Sequence, residues 1–341
     1  MIRNYTTVAD FALDKSTLAG DSGSDTLGFT AAVVFNDATL AGMVAATVNG
    51  NTKIEVLILS DAVGNQVTLG GNASLVGFQT VFGGLGDDRI IASSYPTSKA
   101  ISLFGGNGND TLAGGSGADH LDGGSGNDSL SGGNGNNTLV GGSGADTMVG
   151  GTGNDSIVVD DLNDSVSGAA GTDSVLANID GYILGDASAV EWLIAGTGVT
   201  TLSGNSISNT ILGGAGNDYL SGGNGNDSIF GALGADNLYG DAGDDTLDSG
   251  SGQDAVFGGD GNDLILASID GSQDQYDGNA GFNLLSYASE VRDINFGNFY
   301  ATNDANLYLF NLFGENEFYS NINGLIGGQG NDSITSAFNL D

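Results

Sequence analysis

The stretch GGNGNDTLAGGSGADHLDGGSGNDSLS, residues 105–131, contains three copies of one nine-residue unit and decides the fold of the chain. The same register is predicted over residues 105–266, as eighteen consecutive units. The eighth position is always apolar, and the sixth is Asp in thirteen of the eighteen units. One apolar side chain and one carboxylate per unit, set among glycines, predict a coil held by metal ions and not an ordinary globular core.

The composition of the 341 residues excludes several classes of protein. Glycine occurs 61 times with a period of nine, whereas a collagen helix requires a period of three. Apolar residues make up 39% of the chain and recur in phase, which argues against disorder. Because the chain has no cysteine, disulfides, zinc–thiolate sites and thiol catalysis are excluded.

The formal net charge of −36 predicts a chain that attracts cations. Nucleic acids and anionic membranes should repel it, so no nucleic-acid partner is expected. No transmembrane segment is predicted, because no stretch approaches the roughly 20 apolar residues of a membrane helix. The N-terminus lacks a basic segment followed by an apolar run, so no cleavable signal peptide is evident.

Each unit is predicted to consist of a turn and a very short strand. Glycines at positions one, two and four permit positive φ and close backbone packing, so positions one to six are predicted to form the turn. Positions seven to nine then form a strand whose eighth side chain faces inward. Two units make a coil of eighteen residues, and stacked coils align the eighth-position side chains in two apolar columns.

The sixth-position carboxylates should also stack, each unit lying beside the next unit but one. Stacked carboxylates repel each other unless a cation lies between them. Two carboxylates and the carbonyls of the turns supply about six oxygens, which suits Ca²⁺ better than Mg²⁺ or Zn²⁺. The residues therefore predict calcium between successive coils.

The unit GGNGNDSIF (222–230) and its copies resemble the RTX, or haemolysin-type, calcium-binding nonapeptide repeat. The best copies lie at 105–158 and 213–266, with single copies at 83–91 and 327–335. The resemblance implies an all-β fold, a right-handed parallel β-roll or β-solenoid with calcium-binding turns. In this chain those turns would be interleaved with metal-free coils of the same solenoid.

The resemblance also implies the calcium ligands, one at the sixth position of each matching unit. Pairs eighteen residues apart, such as Asp110 with Asp128 and Asp155 with Asp173, would flank about ten ions. Ten divalent ions would reduce the formal charge from −36 to about −16. Asn137 is neutral, so its two sites should be weaker. The implied ligands are Asp88, Asp110, Asp119, Asp128, Asn137, Asp146, Asp155, Asp164, Asp173, Asp218, Asp227, Asp236, Asp245, Asp254, Asp263 and Asp332.

Five segments are predicted along the chain, with insertions of four residues around Pro96 and of two residues within 267–277. The segment between the two acidic blocks keeps the register but should have longer strands and no metal. The segments are 1–82 (metal-poor solenoid or N-terminal cap), 83–176 (first RTX block), 177–212 (metal-poor coils in the same register), 213–266 (second RTX block) and 267–341 (aromatic-rich C-terminal cap with one last repeat).

Three features outside the acidic repeats leave alternatives open. Trp192 belongs either to the core, which is favoured, or to an exposed stacking platform. The off-register acids Asp270, Asp274 and Asp277 form either an irregular calcium site or a solvated loop. The aromatic segment 287–320 either caps the solenoid, which is favoured, or forms a contact surface.

No arrangement of residues predicts an enzyme. The chain lacks a His-Glu-x-x-His motif, and its single histidine, His120, is expected on the outward face of a strand. The glycine strings match neither a nucleophile elbow nor a dinucleotide-binding loop.

The favoured function is a calcium-binding structural or adhesive module of a secreted or cell-surface bacterial protein, such as a surface-layer component or adhesin. By resemblance, it would be secreted unfolded through a type I apparatus and fold on calcium outside the cell. Cell-surface polysaccharide and further copies of the chain are the partners considered. The alternative is the calcium-binding segment of a secreted RTX lipase, protease or epimerase. Ice or glycan binding is disfavoured, because no regular outward Thr or aromatic ladder is evident.

Overall fold

A computed structural model describes backbone and side chains for residues 57–59, 64–69, 79–93, 99–287 and 319–326, and the backbone alone for the other strand residues named below. This part of the chain consists of strands and turns without a helix, so the all-β prediction is confirmed. Among these residues, no helix is long and apolar enough to span a membrane. The chain divides into two compact units, unit 1 (1–175 and 187–190) and unit 2 (176–186 and 191–341).

Unit 1 consists of parallel strands. From the second strand onward, successive strands belong alternately to two sheets. Its strands are Ile2–Tyr5 (β1), Thr26–Phe29 (β2), Val34–Phe35 (β3), Val56–Ile58 (β4), Gln66–Thr68 (β5), Thr80–Leu85 (β6), Arg89–Ile91 (β7), Ser102–Asn107 (β8), Thr111–Ala113 (β9), His120–Ser125 (β10), Ser129–Asn134 (β11), Thr138–Ser143 (β12), Thr147–Thr152 (β13), Ser156–Val159 (β14), Ser165–Ala170 (β15) and Ser174–Ala177 (β16), the last ending in unit 2. The sheet orders are β1-β2-β4-β6-β8-β10-β12-β14-β16 and β3-β5-β7-β9-β11-β13-β15.

The strand pairing in unit 1 gives a coil of eighteen residues. Leu121 pairs with Leu139 in one sheet, and Leu130 pairs with Met148 in the other. All four side chains are buried, so the two predicted apolar columns are confirmed. Each coil adds only one such residue to each column, so the apolar core is thin and other interactions must hold the coils together.

Unit 2 repeats this arrangement and adds an antiparallel ladder near the end of the chain. Its strands are Tyr182–Ile183 (β17), Trp192–Ala195 (β18), Thr201–Ser203 (β19), Thr210–Ala215 (β20), Tyr219–Asn224 (β21), Ser228–Leu233 (β22), Asn237–Ala242 (β23), Thr246–Asp248 (β24), Ala255–Asp260 (β25), Leu264–Leu266 (β26), Gln275–Ala280 (β27), Leu284–Ser286 (β28), Asn295–Ala301 (β29), Leu307–Leu312 (β30), Glu315–Ser320 (β31), Gly324–Ile326 (β32) and Ser333–Ile334 (β33). The sheet orders are β18-β20-β22-β24-β26-β28-β32 and β17-β19-β21-β23-β25-β27-β31-β30-β29-β33. The pairs β29–β30 and β30–β31 are antiparallel.

Both predicted insertions are visible in the pairing. Val81 of β6 pairs with Leu103 of β8, 22 positions later, which is four more than one coil. Residues 94–98, which surround Pro96, lie outside the described part of the chain. Val256 of β25 pairs with Tyr276 of β27, 20 positions later, which is two more than one coil.

Many strands are longer than predicted, because they continue through the first two positions of the next unit. Strand β11 runs from Ser129 through Gly132 and Gly133 to Asn134. The prediction that positions one to six form the turn is therefore wrong, and only positions four to six do. Gly133 still pairs with Gly151 although its φ is 99°, and a Cβ there would lie 2.3 Å from the carbonyl oxygen of Gly115. Glycine is required because the neighbouring coil leaves no room for a side chain.

The segment between the two acidic blocks departs from its predictions. Tyr182 pairs with Leu202, 20 positions later, so the nine-residue register slips by two residues there. Strands β17, β18 and β19 have two, four and three residues, so they are not longer than the others. Trp192 is 40% exposed while the adjacent Leu193 is buried, so the core placement of Trp192 is wrong. Position seven faces outward because side chains alternate along a strand.

Three tyrosines form a buried cluster near the end of unit 2. The rings of Tyr276 and Tyr319 stack with centroids 5.6 Å apart, and the hydroxyl groups of Tyr287 and Tyr319 are hydrogen-bonded. Strand β31, which contains Tyr319, pairs with β27 and continues the sheet. The capping role of segment 287–320 stays a prediction, since most of its side chains lie outside the described residues.

Ala232 replaces the second glycine of its unit and adopts a φ of 80°. Strand β22 keeps six residues around it, so the substitution does not distort the fold. The left-handed conformation costs a residue with a Cβ about 1–2 kcal/mol, and glycine loses about 0.4–1 kcal/mol more entropy on folding. We expect Ala232→Gly to raise the free energy of unfolding by about 0.5–1 kcal/mol in calcium. Denaturant unfolding measures this, with Ala215→Gly, which should destabilise, as control; a loss in both variants would contradict the prediction.

Candidate metal centre

The sixth-position side chains form hydrogen-bonded ladders along both flanks of unit 1. On one flank, the backbone N–H of Asp110 donates to Oδ1 of Asp128 at 2.7 Å, and that of Asp128 donates to Oδ1 of Asp146. On the other flank, the N–H of Asn137 donates to Oδ1 of Asp155. The same bond joins Asp146 to Asp164, Asp119 to Asn137, and Asp155 to Asp173.

Unit 2 contains the same ladders. The N–H of Asp218 donates to Asp236, and that of Asp236 donates to Asp254. On the other flank, Asp227 donates to Asp245, and Asp245 donates to Asp263. The structure thus brings together every pair of residues that the eighteen-residue spacing predicted, and each link runs from a main-chain amide to a carboxylate or amide oxygen.

In most ladder carboxylates, Oδ1 accepts the ladder hydrogen bond and Oδ2 is buried without a hydrogen-bond donor. Asp110 is 2% exposed, and its Oδ2 atom has no partner. A buried carboxylate oxygen without a donor is costly, because it has lost its water and gained nothing in exchange. The residues with such an Oδ2 atom are Asp88, Asp110, Asp128, Asp146, Asp155, Asp218, Asp227, Asp236, Asp245, Asp254 and Asp263.

The first glycine of each unit makes room for this oxygen. A Cβ on Gly105 would lie 2.1 Å from Oδ2 of Asp110 and 2.6 Å from the carbonyl oxygen of Gly123. A side chain in place of Gly105 would therefore displace the carboxylate of Asp110. The carboxylate oxygen and a carbonyl oxygen of the next coil lie close to the same point, which concentrates negative charge between the coils.

Burial raises the pKa of these carboxyl groups, and neighbouring carboxylates raise it further. Desolvation, followed by the charges of Asp128 and Asp88, raises the pKa of Asp110 to about 7. Desolvation is also the largest cause for Asp245 and Asp254, whose pKa rises to about 7. The pKa values of Asp146, Asp218 and Asp227 rise to about 6 for the same reason. The ionised ladder is thus destabilised unless a positive charge compensates it.

The donor atoms fit a hard divalent cation. They are carboxylate and carbonyl oxygens, and the ladders contain neither thiol nor imidazole. Calcium accepts six to eight oxygen ligands with flexible geometry, whereas zinc prefers nitrogen and sulfur. The buried Oδ2 atoms therefore suit the calcium ions that the sequence predicted.

Several implied ligands offer fewer free oxygens than expected. Both carboxylate oxygens of Asp119 accept backbone N–H groups, from Ile101 and Gly115. The side-chain amide of Asn137 donates to the carbonyl oxygen of Gly135 at 3.0 Å. Oδ2 of Asp164 accepts the N–H groups of its own turn. Asp332 lies outside the described residues.

Asp274 belongs to the ladder. From the sequence, it was expected either in an irregular calcium site or in a solvated loop. It is fully buried, and its Oδ1 atom accepts the backbone N–H of Asp254 at 2.9 Å. Asn283 accepts the N–H of Asp263 in the same way. Adding the predicted two-residue insertion to the eighteen-residue spacing from Asp254 would have identified Asp274. Asp270 is exposed and Asp277 half-buried.

Asp160 adds a third carboxylate to one pair of the ladder. Single carboxylate oxygens of Asp146, Asp160 and Asp164 lie within 4.8 Å of one another. Asp146 is 1% exposed, and its Oδ2 atom has no donor. The unit 159–167 lacks all three glycines of the repeat, so Asp160 occupies the second position, where most units have glycine.

Asp160→Asn is expected to weaken calcium binding at this pair about tenfold, or about 1.4 kcal/mol, because one anionic ligand is lost. Calorimetric titration with calcium would detect the weakened step. Asp161→Asn is the matched control, because the carboxylate of Asp161 lies outside the cluster. Equal effects of the two substitutions would show that only the net charge matters.

The outward faces of both units carry short aromatic stacks, although the sequence shows no regular outward aromatic ladder. In unit 1, the rings of Phe82 and Phe104 stack at 4.9 Å, and His120 contacts Phe104 edge-on. In unit 2, Tyr239 stacks on Phe257 at 5.0 Å. His120 thus lies on the outward face, as predicted, in contact with a phenyl ring.

A family model described as the RTX calcium-binding nonapeptide repeat (4 copies) matches five segments of the chain. The matched residues are 77–94, 104–139, 140–175, 203–238 and 230–265. No curated protein matches the chain. The segments coincide with the acidic ladders and glycine turns described above. The chain therefore carries several copies of the RTX calcium-binding nonapeptide repeat.

Proposed function

We propose that the chain is a calcium-folded structural or adhesive module of a protein that acts outside the cell. The observation that carries the proposal is the row of buried carboxylate oxygens without hydrogen-bond donors, repeated from coil to coil. We assign calcium binding to the sixth-position residues, together with Asp160 and Asp274. RTX proteins are generally secreted by type I systems and bind calcium outside the cell, which supports an extracellular location.

The residues of the chain orient the carboxylates of each site in the folded state. A backbone N–H holds Oδ1 of the carboxylate one coil ahead, as Asp110 does for Asp128. This contact orients Oδ2 toward the glycine at position one, where a carbonyl oxygen also lies. Calcium supplies the positive charge that compensates these oxygens when it binds. The thin apolar columns then align the coils, so metal binding and folding occur together.

The outward faces support a structural or adhesive role over catalysis. The single histidine, His120, packs edge-on against the ring of Phe104. The acidic side chains of the ladders are used in regular stacking, and each contacts the main chain of the preceding coil. No catalytic family model matches the chain alongside the repeats.

A calcium titration followed by circular dichroism tests this function. Extracellular calcium modules bind with dissociation constants on the order of 0.1–1 mM, and we expect the folding midpoint in this range. The chain would then be unfolded at cytoplasmic calcium levels and folded outside the cell. A midpoint below about 1 µM, typical of intracellular sensors and buffers, would overturn the proposal. Magnesium at the same concentration is the control and should not induce folding.

A further inference from the structure

The outer face of unit 2 contains a pocket that the calcium sites do not explain. It has a volume of about 310 Å³. Its lining residues come from the outward positions of three adjacent strands, β23, β25 and β27. They are Tyr239, Asp241, Phe257, Gly259, Asp260 and Asn279.

One wall of the pocket is aromatic. Tyr239 and Phe257 are stacked with their ring planes 11° apart, and Tyr219 extends the row with its centroid 4.8 Å from that of Tyr239. Tyr219 is 45% exposed. These rings lie on the solvent side of the strands, opposite the buried column of Leu238 and Val256. The fold does not need them for its core.

The floor of the pocket and the residues on both sides of it lie at paired positions of adjacent strands. Asp241 pairs with Gly259, and Gly259 pairs with Asn279. Most other units have glycine at this second position, yet Asp241 and Asn279 adopt φ values of 70° and 57°. Side chains are thus placed, at a conformational cost, on both sides of a glycine that leaves the space between them open.

The pocket is negatively charged, which favours a cationic ligand. Asp241 and Asp260 line it, and the hydroxyl of Ser221 donates to Oδ2 of Asp241. Unit 2 contains a single basic residue, Arg292, whereas the whole chain carries a net charge of −36. Asp241 and Asp260 are exposed and lie outside the buried ladders, so calcium bound in the ladders leaves them charged.

We propose that this pocket binds the cationic side chain of an arginine or lysine from a partner protein. The apolar stem of such a side chain packs against Tyr239 and Phe257, and its charged group lies between Asp241 and Asp260. Two carboxylates beside aromatic rings complement a guanidinium or ammonium group better than a neutral sugar. An anionic polysaccharide is repelled. The inference goes beyond the calcium-dependent folding proposed above and adds a recognition site to the folded module.

The test is binding of an acetylated, amidated peptide of alternating arginine and glycine to the full chain in saturating calcium. We expect Asp241→Asn to weaken binding at least fivefold, because asparagine keeps the shape and tolerates the left-handed backbone while the charge is lost. Asp241→Gly should weaken binding equally without lowering the melting temperature, since it restores the residue typical of the repeat. Asp186→Asn removes the same charge from another exposed position of unit 2 and should change binding less than twofold.

The same peptide with citrulline in place of arginine separates charge from shape and should not bind. The proposal is overturned if the citrulline peptide binds as tightly, or if Asp241→Asn binds like the parent chain. Binding of cellohexaose that is lost in Asp241→Gly would likewise overturn it, in favour of a glycan site. Circular dichroism of each sample shows whether the chain is folded, so a failure of calcium-dependent folding is distinguished from a failure of peptide recognition.

Discussion

At pH 7.5 the chain freed of calcium is expected to lose most of its β-sheet signal, and at pH 5 to recover part of it without metal. The ladder carboxyl groups of Asp110, Asp245 and Asp254 have pKa values of about 7 in the folded chain. Their pKa values in an unfolded chain are about 3.9. The folded state therefore binds more protons between about pH 4 and 7, and the free energy of unfolding falls as the pH rises through this window.

Calcium should reverse the dependence of stability on pH, because the ion and the proton compete for the same carboxylates. Adding calcium is expected to stabilise the chain strongly at pH 7.5 and only weakly at pH 5. At a calcium concentration of a hundred times the dissociation constant, each site contributes about 2.7 kcal/mol, so even a few sites exceed the stability of a typical domain. Far-ultraviolet circular dichroism and thermal melting of dialysed protein at both pH values measure the effect.

Magnesium serves as the control in these measurements, because it demands stricter geometry and retains its waters. A metal-free chain that is fully folded at pH 7.5 would contradict the prediction. A metal-free chain that becomes less folded on acidification from pH 7.5 to 5 would show that the buried carboxyl groups are already compensated by the protein itself.

Asp128→Ala is expected to remove about two bound ions and to lower the stability of the calcium form sharply. Asp128 joins two links of one ladder, since its Oδ1 atom accepts the N–H of Asp110 and its own N–H donates to Asp146. At a calcium concentration of a hundred times the dissociation constant, each lost ion lowers the free energy of unfolding by about 2.7 kcal/mol. The buried N–H of Asp110 is then left without an acceptor, which lowers the free energy of unfolding by about 1–3 kcal/mol more. Calorimetry gives the number of ions, and denaturant unfolding gives the stability.

Asp122→Asn is the matched control for this substitution. It removes the same charge from β10, at the position next to the buried Leu121 and outside the ladders. The ion count should stay unchanged in this variant. If Asp128→Ala binds as many ions as the parent chain, the ladder carboxylates are not ligands, and the buried Oδ2 atoms need another explanation.

The repeated sequence predicted the fold because each unit has the same few physical requirements. The apolar eighth position fixed which side chains face inward, as the burial of Leu112, Leu130 and Met148 shows. The spacing of eighteen residues fixed which sixth-position residues meet. Where the repeat degenerates, between Tyr182 and Leu202, the register slips and the prediction fails, because the sixth positions there are not Asp and the regular glycine pattern is lost.

The sequence by itself determined the period, the two columns, the acidic ladders and the preference for a hard cation, since all of these follow from residue types at a fixed spacing. The tertiary structure showed how most ladder carboxylates are used: Oδ1 accepts the amide N–H of the preceding coil, and Oδ2 is buried without a donor. It also added Asp160 to the pair Asp146 and Asp164 and assembled the pocket beside Phe257. These features depend on contacts between coils, where insertions and outward side chains meet in ways that a linear period does not encode.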